Sequence, residues 1–377
     1  MSGTTTKGAW RLQDVRDNIL KGEWITYNVS NDPGTLWSWG YNFFGQLGDN
    51  TVTCRSSPIQ VPGIQWTEVS GGSYHTTARK SDGTLWSWGY NNQGQLGDNT
   101  VTRRSSPVQI PGTQWTEVSG TTGHTTARKS DGTLWSWGNN GIGQLGDNTL
   151  ICRSSPIQVP GTQWTEVSNG GGNHTIARKS NGTLWAWGIN NGQLGDNTTI
   201  FRSSPIQVPG TQWIEVDGGG GQHTTARKSD GTLWSWGYNL FGQLGHNTVT
   251  CRSSPIQVPG TQWTEVSGGT NHTTARKSDG TLWSWGCGIQ GQLGDNTVTC
   301  MSSPIQVPGT QWTEVDGGGQ YTTARKSDGT LWSWGGGIQG QLGHNTATCM
   351  SSPIQVPGTQ WTEVSGGFRH TTARKSV

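Results

Sequence analysis

The chain has 377 residues, and its 25 Lys and Arg against 23 Asp and Glu leave a formal net charge of only +2. Nucleic-acid binding usually needs a stronger basic field, so we expect no nucleic-acid partner. There is no apolar run of about 18 residues, and the start, Met-Ser-Gly-Thr-Thr-Thr, lacks the regions of a signal peptide, so we expect neither membrane insertion nor export by the usual signal.

Residues 1–30 differ from the rest of the chain and form a leader. Apolar side chains recur at helical spacing over 10–20 and Gly22 follows as a stop, which predicts a short amphipathic helix and then a linker over 24–30. The helix either packs on the body of the protein or is an attachment peptide for a larger structure. In the second case the anchoring side chains are Trp10, Leu12, Val15, Ile19, Leu20 and Trp24.

One motif, Leu-Trp-(Ser/Ala)-Trp-Gly, recurs seven times through the remaining sequence. It occupies 36–40, 85–89, 134–138, 184–188, 233–237, 282–286 and 331–335. A fixed period of this length is typical of repeat architectures. Most of the 23 tryptophans fall three to a repeat, and each can bury ~150 to 250 Å², so they supply the core that the chain otherwise lacks.

Each repeat reads as four short strands, which we name A to D. In residues 75–121 strand A is His-Thr-Thr-Ala-Arg-Lys, B is Leu-Trp-Ser-Trp-Gly, C is Ser-Ser-Pro-Val-Gln-Ile and D is Gln-Trp-Thr-Glu-Val. A Ser-Asp-Gly turn joins A to B and a Pro-Gly turn joins C to D, both tight-turn sequences. Seven such units predict an all-β, seven-bladed propeller of four-stranded antiparallel blades over 31–377. Trp86, Trp88 and Trp115 with their counterparts are expected to form three rings between blades.

The ends of the chain offer two ways to close the ring. Strands B, C and D each occur seven times, but there are eight candidates for strand A, namely 24–30 and seven of the His-Thr-Thr type. We expect the last of these, 370–376, to complete the first blade beside 36–40, with 24–30 left as a linker; the reverse assignment stays open.

Repeated polar and cysteine positions give no catalytic constellation, so we expect no enzyme, cofactor or metal. The ring of His75, His124, His174, His223, His272 and His370, with Tyr321 in the seventh place, is expected to hydrogen-bond at the D-to-A crossing. Asp49 and its counterparts are expected to cap turns, and the Arg-Lys pair of strand A to pair with Glu at the surface. Five cysteines, Cys54, Cys152, Cys251, Cys300 and Cys349, are equivalent and too far apart to bridge, and Cys287 is an isolated variant in a loop, so we expect free thiols.

The repeats differ from one another in two loops, B to C and D to A. Both connections emerge on one face of an up-and-down blade, so one face is constant and the other varied, which is typical of a scaffold that binds through loops. Neutral drift of exposed loops is the alternative. The candidate ligand-binding residues are Tyr41, Phe43, Phe44, Tyr74, Tyr90, Asn91, Gln93, Asn140, Ile142, Asn173, Ile189, Asn190, Gln222, Tyr238, Leu240, Phe241, Asn271, Ile289, Gln290, Gln320, Ile338, Gln339, Phe368 and Arg369.

The repeat resembles that of the regulator of chromosome condensation repeat propellers. The resemblance rests on Leu-Trp-Ser-Trp-Gly followed by Gly94-Gln95-Leu96-Gly97, and on Gly-x-x-His-Thr at 72–76, both recurring through residues 35–377. It implies a seven-bladed binding scaffold, in a family that includes a nucleotide exchange factor, a plant ultraviolet photoreceptor and a secreted β-lactamase inhibitor. The photoreceptor has Trp before the repeated His, where this chain has Tyr74 and other residues, so light sensing is not expected.

The leader is similar to a short N-terminal segment of tailed-bacteriophage structural proteins, through Gly8-Ala9-Trp10-Arg11-Leu12 and the later Trp24, although the usual Trp-Pro ending is absent. This implies a virion protein of the tail or fibre, made in the host cytoplasm. Its partners would be other virion proteins at the leader and a bacterial surface glycan or protein at the varied face. The alternatives are a soluble interaction or inhibitor module, and a decoration protein without a receptor.

Overall fold

The computed structural model of the protein describes residues 34–171 and 173–376, so the helix, linker and anchoring residues expected in 1–30 lie outside the described residues. Within that range the regular structure is entirely β-strand. The same range contains no helix long and apolar enough to span a membrane.

Strands B, C, D and A follow one another in that order, so β1 to β4 are the first B, C, D and A strands. The first half of the chain gives β1 (Thr35–Gly40), β2 (Arg55–Gln60), β3 (Trp66–Gly71), β4 (His75–Lys80), β5 (Leu85–Gly89), β6 (Arg104–Gln109), β7 (Trp115–Gly120), β8 (His124–Lys129), β9 (Leu134–Gly138), β10 (Arg153–Gln158), β11 (Trp164–Gly170), β12 (His174–Lys179), β13 (Leu184–Gly188) and β14 (Arg202–Val208). The second half gives β15 (Trp213–Asp217), β16 (His223–Lys228), β17 (Leu233–Gly237), β18 (Arg252–Gln257), β19 (Trp263–Gly268), β20 (His272–Lys277), β21 (Leu282–Gly286), β22 (Met301–Val307), β23 (Trp312–Gly317), β24 (Tyr321–Lys326), β25 (Leu331–Gly335), β26 (Met350–Gln355), β27 (Trp361–Gly366) and β28 (His370–Lys375).

These strands form seven four-stranded antiparallel sheets, as the family resemblance and the repeat both predict. Each sheet has the strand order D-A-B-C. The D strands of neighbouring sheets contact one another, for example β3 with β7 and β27 with β3. The D strands therefore surround the central axis and the half-exposed C strands form the rim. Blade 1 consists of β27, β28, β1 and β2, and blades 2 to 7 follow in chain order from β3.

The assignment of the Pro-Gly segment to a tight turn within one blade is wrong. Strand C of one repeat is the outer strand of its blade, and strand D is the inner strand of the next blade, as with β6 and β7. The connection crosses from the rim to the axis, through Gly112 and Gln114 at positive φ of 97° and 66°. Strand D pairs instead with strand A, with Trp115 opposite Lys129.

The ring closes through the two ends of the described chain. Strand β1 pairs with β28 in an unbroken register from Thr35 opposite Lys375 to Gly40 opposite His370. On its other side β28 pairs with β27. Blade 1 therefore draws its B and C strands from the start of the propeller and its A and D strands from the end.

The hydrophobic core is divided into clusters that lie between neighbouring blades. In one of them Leu36 and Val61 of blade 1 pack on Trp66, Ala78 and Trp88 of blade 2. Two of the expected tryptophan rings, those of Trp66 and Trp88, are fully buried. Burial of such large side chains is a major source of stability in a protein of which only 29% of the residues are hydrophobic.

The third tryptophan ring differs from expectation because it is only half-buried. Its members are Trp37, Trp86, Trp135, Trp185, Trp234, Trp283 and Trp332. The ammonium of Lys80 lies 4.8 Å from the ring centre of Trp66 and 4.5 Å from that of Trp86. The lysine of strand A therefore covers two indole faces by cation–π contact instead of pairing with a glutamate.

The Gly-Gln-Leu-Gly motif forms a socket for the next blade. Trp137 of blade 3 donates its indole N–H to the backbone oxygen of Gln95 in blade 2 at 3.0 Å. A Cβ atom at Gly97 would lie 2.6 Å from the same indole nitrogen, and the backbone there has φ +74°. Only glycine permits this contact between blades.

Candidate functional site

The varied loops share one face of the propeller, which we call the loop face. It consists of the B–C loops (41–54, 90–103, 139–152, 189–201, 238–251, 287–300 and 336–349) and the D–A loops (72–74, 121–123, 171–173, 218–222, 269–271, 318–320 and 367–369). The antiparallel order D-A-B-C brings both sets to the same edge of each sheet. Hydrogen bonds join them, such as Tyr41 N to Arg369 O at 2.9 Å and Tyr90 N to Tyr74 O at 2.8 Å.

An aromatic cluster occupies the loop face over blades 1 and 2. Its members are Tyr41, Phe43, Phe44, Tyr74, Tyr90 and Phe368. Phe44 lies at its centre, with ring centres 5.3 Å from Tyr74 and 4.7 Å from Tyr90. The cluster combines residues of two loop types from two blades, so it exists only in the closed ring. Arg369 lies over the ring of Phe368 at 5.3 Å.

Exposed large hydrophobic side chains are concentrated in the B–C loops. The tips of four of these loops carry Phe43, Leu240, Ile289 and Ile338, with exposed fractions of 58 to 65%. A second set lies nearer strand C: Val52, Val101, Leu150, Ile151, Ile200, Phe201, Val249 and Val298. Among the described residues only Ile64 and Ile214 are comparable outside these loops. Exposed apolar surface of this kind is typical of interaction sites.

A depression of about 490 Å³ lies beside the mouth of the central channel. Tyr74 and Phe368 line one side, and Gln222, Tyr238 and Phe241 of blade 5 line another. The depression brings together residues that are far apart in sequence. Its mixture of aromatic rings and amides can stack on a ligand and hydrogen-bond to it.

Three of the candidate binding residues, Asn91, Asn140 and Asn190, are buried and not available to a ligand. The Asn91 amide donates to Asp98 Oδ1 at 3.2 Å and to Thr100 O at 3.1 Å, and its Oδ1 accepts from Leu96 N at 2.9 Å. These asparagines hold the B–C loop in shape. Their side chains turn inward because an internal loop of this length leaves backbone groups that need partners.

The other candidate residues are exposed or half-exposed on the loop face, and whether they bind a ligand stays a prediction. They are Tyr41, Phe43, Phe44, Tyr74, Tyr90, Gln93, Ile142, Asn173, Ile189, Gln222, Tyr238, Leu240, Phe241, Asn271, Ile289, Gln290, Gln320, Ile338, Gln339, Phe368 and Arg369.

The histidine ring joins blade to blade through Nε2, and the predicted bond at the D-to-A crossing is present at His124, whose Nδ1 is hydrogen-bonded to Thr121 Oγ1 at 2.9 Å. His75 Nε2 of blade 2 is hydrogen-bonded to Thr125 Oγ1 of blade 3 at 2.9 Å, and His370 Nε2 of blade 1 to Thr76 Oγ1 of blade 2 at 3.0 Å. At Tyr321 the hydroxyl takes the same role with Thr371. Burial lowers the pKa of His75 to about 4, so the ring is neutral at ordinary pH.

The turn-capping role of the repeated aspartates is confirmed. Asp98 Oδ1 accepts from the backbone N–H and the hydroxyl of Thr100 at 3.1 and 2.6 Å. In blade 5 His246 takes this place and is hydrogen-bonded to Thr248. Over residues 34–171 and 173–376, no group of three or more His, Cys, Asp or Glu is arranged to hold a metal ion.

The central channel is lined by charged groups that are more enclosed than expected. Strand-D glutamates bridge neighbouring inner strands: Glu68 accepts from Val118 N at 3.0 Å and pairs with Arg79 Nε at 2.9 Å. The expected pairing of the strand-A arginine with a strand-D glutamate is confirmed, but the Arg79 and Glu68 side chains are only 16% and 19% exposed, so the pair is not at the surface. Burial, together with the nearby charge of Glu68, raises the pKa of Glu117 to about 7, against the opposing effect of Arg128.

Two carboxyls in the channel were not found from the sequence. Five blades have Ser at the fifth position of strand D, where β15 and β23 have Asp217 and Asp316. Asp316 Oδ1 accepts from Gly366 N of the next blade at 3.2 Å. Burial, followed by the charge of Asp217, raises the pKa of Asp316 to about 8. The Ser-to-Asp difference between repeats was the available signal.

Comparison with known proteins supports this architecture. The model of the regulator of chromosome condensation (RCC1) repeat matches residues 33–79, 82–128, 131–178, 230–276, 279–325 and 328–374. A second model of the same repeat matches within 66–95, 165–193, 215–243 and 263–292. A search of curated proteins gave no significant match.

Solved structures show the same fold at low sequence identity. Prp20p from Saccharomyces cerevisiae, studied with its binding to Gsp1p and histones, superposes with a TM-score of 0.84 at 20% identity, covering 92% of each chain. Yeast Prp20 bound to Kap60 gives 0.84 at 20% identity over 100% of this chain and 95% of that one. Human WBSCR16 gives 0.80 at 21% identity over 91% and 99%. At these identities the likeness establishes the fold alone.

Proposed function

We propose that this chain, which belongs to the regulator of chromosome condensation (RCC1) repeat family, is a non-catalytic scaffold that holds a macromolecular partner on its loop face. The observation that carries the proposal is the concentration of exposed hydrophobic side chains in the B–C loops. The constant face, with its short Ser-Asp-Gly turns, offers little such surface. Apolar anchors surrounded by polar groups are the usual composition of a protein-binding surface.

We further propose that the scaffold is displayed on a bacteriophage virion and that the loop face attaches to a bacterial surface glycan or protein. Support comes from the leader, in which Trp10, Leu12 and Trp24 form the phage-like segment. The aromatic cluster beside half-exposed amides suits a sugar, since aromatic rings stack on it and amides hydrogen-bond to its hydroxyls.

The second candidate is a soluble module that binds or inhibits another protein. The yeast relative Prp20p was studied for binding to Gsp1p and histones, both proteins, and the exposed apolar loop tips suit a protein partner. Under this reading the leader anchors nothing. A decoration protein without a receptor remains the third candidate.

A matched pair of variants tests the loop face. Phe43→Ala combined with Leu240→Ala removes two tips that are 60% and 59% exposed. Ile64→Ala removes a side chain that is 64% exposed on the opposite face. We expect the double variant to lower binding to intact host cells at least tenfold, measured by co-sedimentation of labelled protein, while Ile64→Ala binds as the unmodified chain does. Equal binding by all three proteins would rule out the loop face as the surface that binds the cells.

The place of display is tested separately. Native source material is sedimented through a density gradient and the protein is followed by mass spectrometry. Co-migration with particles of virion size is expected for the displayed scaffold and is lost when residues 1–30 are deleted. Migration as a free species of 40.6 kDa would instead support the soluble module.

A further inference from the structure

Two cysteines, the isolated Cys287 and the repeat-position Cys300, lie opposite each other at the base of one B–C loop. Strand β21 pairs with β22 so that Gly286 lies opposite Met301. The next residues outward are Cys287 and Cys300, which the antiparallel register places opposite each other. Opposite residues in such a pair have Cα atoms about 4.5 to 5.5 Å apart, within the ~4.4 to 6.8 Å that a disulfide requires.

The two arms of this loop stay in contact beyond the cysteine pair. A Cβ atom at Gly288 would lie 1.8 Å from the backbone oxygen of Thr299. In blade 3 the equivalent pair shows how close the side chains come, because Cys152 Sγ lies 3.8 Å from Asn139 Oδ1. In blade 6 both positions are cysteine, and the two thiols are neighbours that interact with each other.

The surroundings give the two thiols different roles. Cys287 is buried and Cys300 is exposed. Burial raises the pKa of the Cys287 thiol, the Ile289 amide lowers it, and the neighbouring Cys300 thiol raises it further. Cys300 is therefore the thiol that reagents reach first, and Cys287 is placed to resolve what forms there.

We propose that Cys287 and Cys300 form a reversible dithiol–disulfide site on the loop face, oxidised by small-molecule disulfides. The Cys300 thiolate, its proton lost to solvent, attacks the small disulfide, forming a mixed disulfide and releasing one small thiol. The deprotonated Cys287 then attacks the Cys300 sulfur, forming the protein S–S bond and releasing the second. Two protein thiols are oxidised and one small disulfide is reduced, which balances the step.

The site exists in one blade only. The other B–C loops begin with Tyr41, Tyr90, Asn139, Ile189, Tyr238 and Gly336 in place of Cys287. Sequence comparison missed it because equivalent positions were compared between repeats, whereas the bridge forms within one repeat. Oxidation fixes the base of a loop whose tip, Ile289, is 58% exposed.

The test uses the full chain, reduced and then treated with glutathione disulfide under native conditions. We expect a product lighter by about 2 Da, with two fewer free thiols and a 287–300 cross-linked peptide on digestion. Cys287→Ser should instead hold glutathione on Cys300 with no internal bridge. Cys251→Ser, at the position equivalent to Cys300 in blade 5, should form the bridge as the unmodified chain does.

Three outcomes would overturn the proposal. The first is glutathione on Cys300 of the unmodified chain with no bridge at any exposure time. The second is a bridge from Cys300 to a cysteine other than Cys287. The third is the same 287–300 yield in denaturant as in native buffer, since the fold would then not be bringing the thiols together.

Discussion

Asp316 in the central channel allows the electrostatics of the ring to be tested by one substitution. Replacing it with Ser restores the residue that five other blades have at this position. In those blades the hydroxyl accepts the same bond between blades, as Ser267 does from Gly317 N at 3.0 Å. Asp316→Ser therefore removes a charge while keeping an acceptor.

The expected effect depends on pH, and its sign follows from the raised pKa. Burial, and then the charge of Asp217, raises the pKa of Asp316 from 3.8 to about 8 in the folded protein. The folded state thus holds the proton more tightly than the unfolded state. The resulting stability is fully present below pH 3.8 and is lost as the pH rises to about 8.

The size of the effect is bounded by the same numbers. At about 1.36 kcal/mol per pH unit, the full difference between the folded-state and unfolded-state pKa values of Asp316 corresponds to about 6 kcal/mol. The side chain is half-buried, and water in the channel screens its charge, so we expect about 2 kcal/mol. Between pH 4 and pH 8.5 the free energy of unfolding of Asp316→Ser should therefore rise by about 2 kcal/mol relative to that of the unmodified chain.

Urea unfolding at both pH values measures this difference, because titrations common to both proteins cancel. Ser267→Asp is the reciprocal control and should make stability fall more steeply with pH. The argument is refuted if the free energies of unfolding of Asp316→Ser and the unmodified chain differ by the same amount at both pH values, even if the variant is more stable throughout.

One substitution and one deletion test the packing and the closure of the ring. Gly97→Ala forces a Cβ atom to within 2.6 Å of the Trp137 indole at a positive φ, and should lower the free energy of unfolding in urea by roughly 2 to 5 kcal/mol. In the control Gly141→Ala the Cβ would meet only Asn139 Oδ1 at 3.5 Å, so the loss should be less than about 1 kcal/mol. Equal losses in the two variants would contradict the contact between Gly97 and Trp137. Deleting 368–377 removes the strand between β1 and β27 and should lower the melting temperature sharply, with recovery when a peptide of that sequence is added; an unchanged melting temperature would contradict closure by β28.

The period of the sequence predicted the number of blades and their strands, but not where one blade ends. A repeat can be divided at any of its four connections without changing its period. The Pro-Gly segment looked like a hairpin because its residues suit one. What decides the pairing is three-dimensional: Trp115 packs against Ala127 and Trp137 of its own blade and against Leu85 of the previous one.

The candidate site was predictable as a face and not as a set of side chains. Topology alone places the B–C and D–A loops together, so their residues reach one surface. Asn91 and Tyr90 are neighbours in the same varied loop, yet Asn91 is buried by its bonds to Asp98 and Thr100. Whether a polar side chain faces inward depends on such partners, which sequence position does not reveal.

Each repeat supplies three strands to one blade and the inner strand to the next, and this has a consequence at the level of the gene. Duplicating or losing a stretch of one repeat length adds or removes a full set of four strands, wherever the breakpoints fall. The free edges of β1 and β27 that β28 fills are the same whatever lies between them. Unequal crossing-over can thus replace one B–C loop with another, while the tryptophan and histidine contacts between blades stay the same.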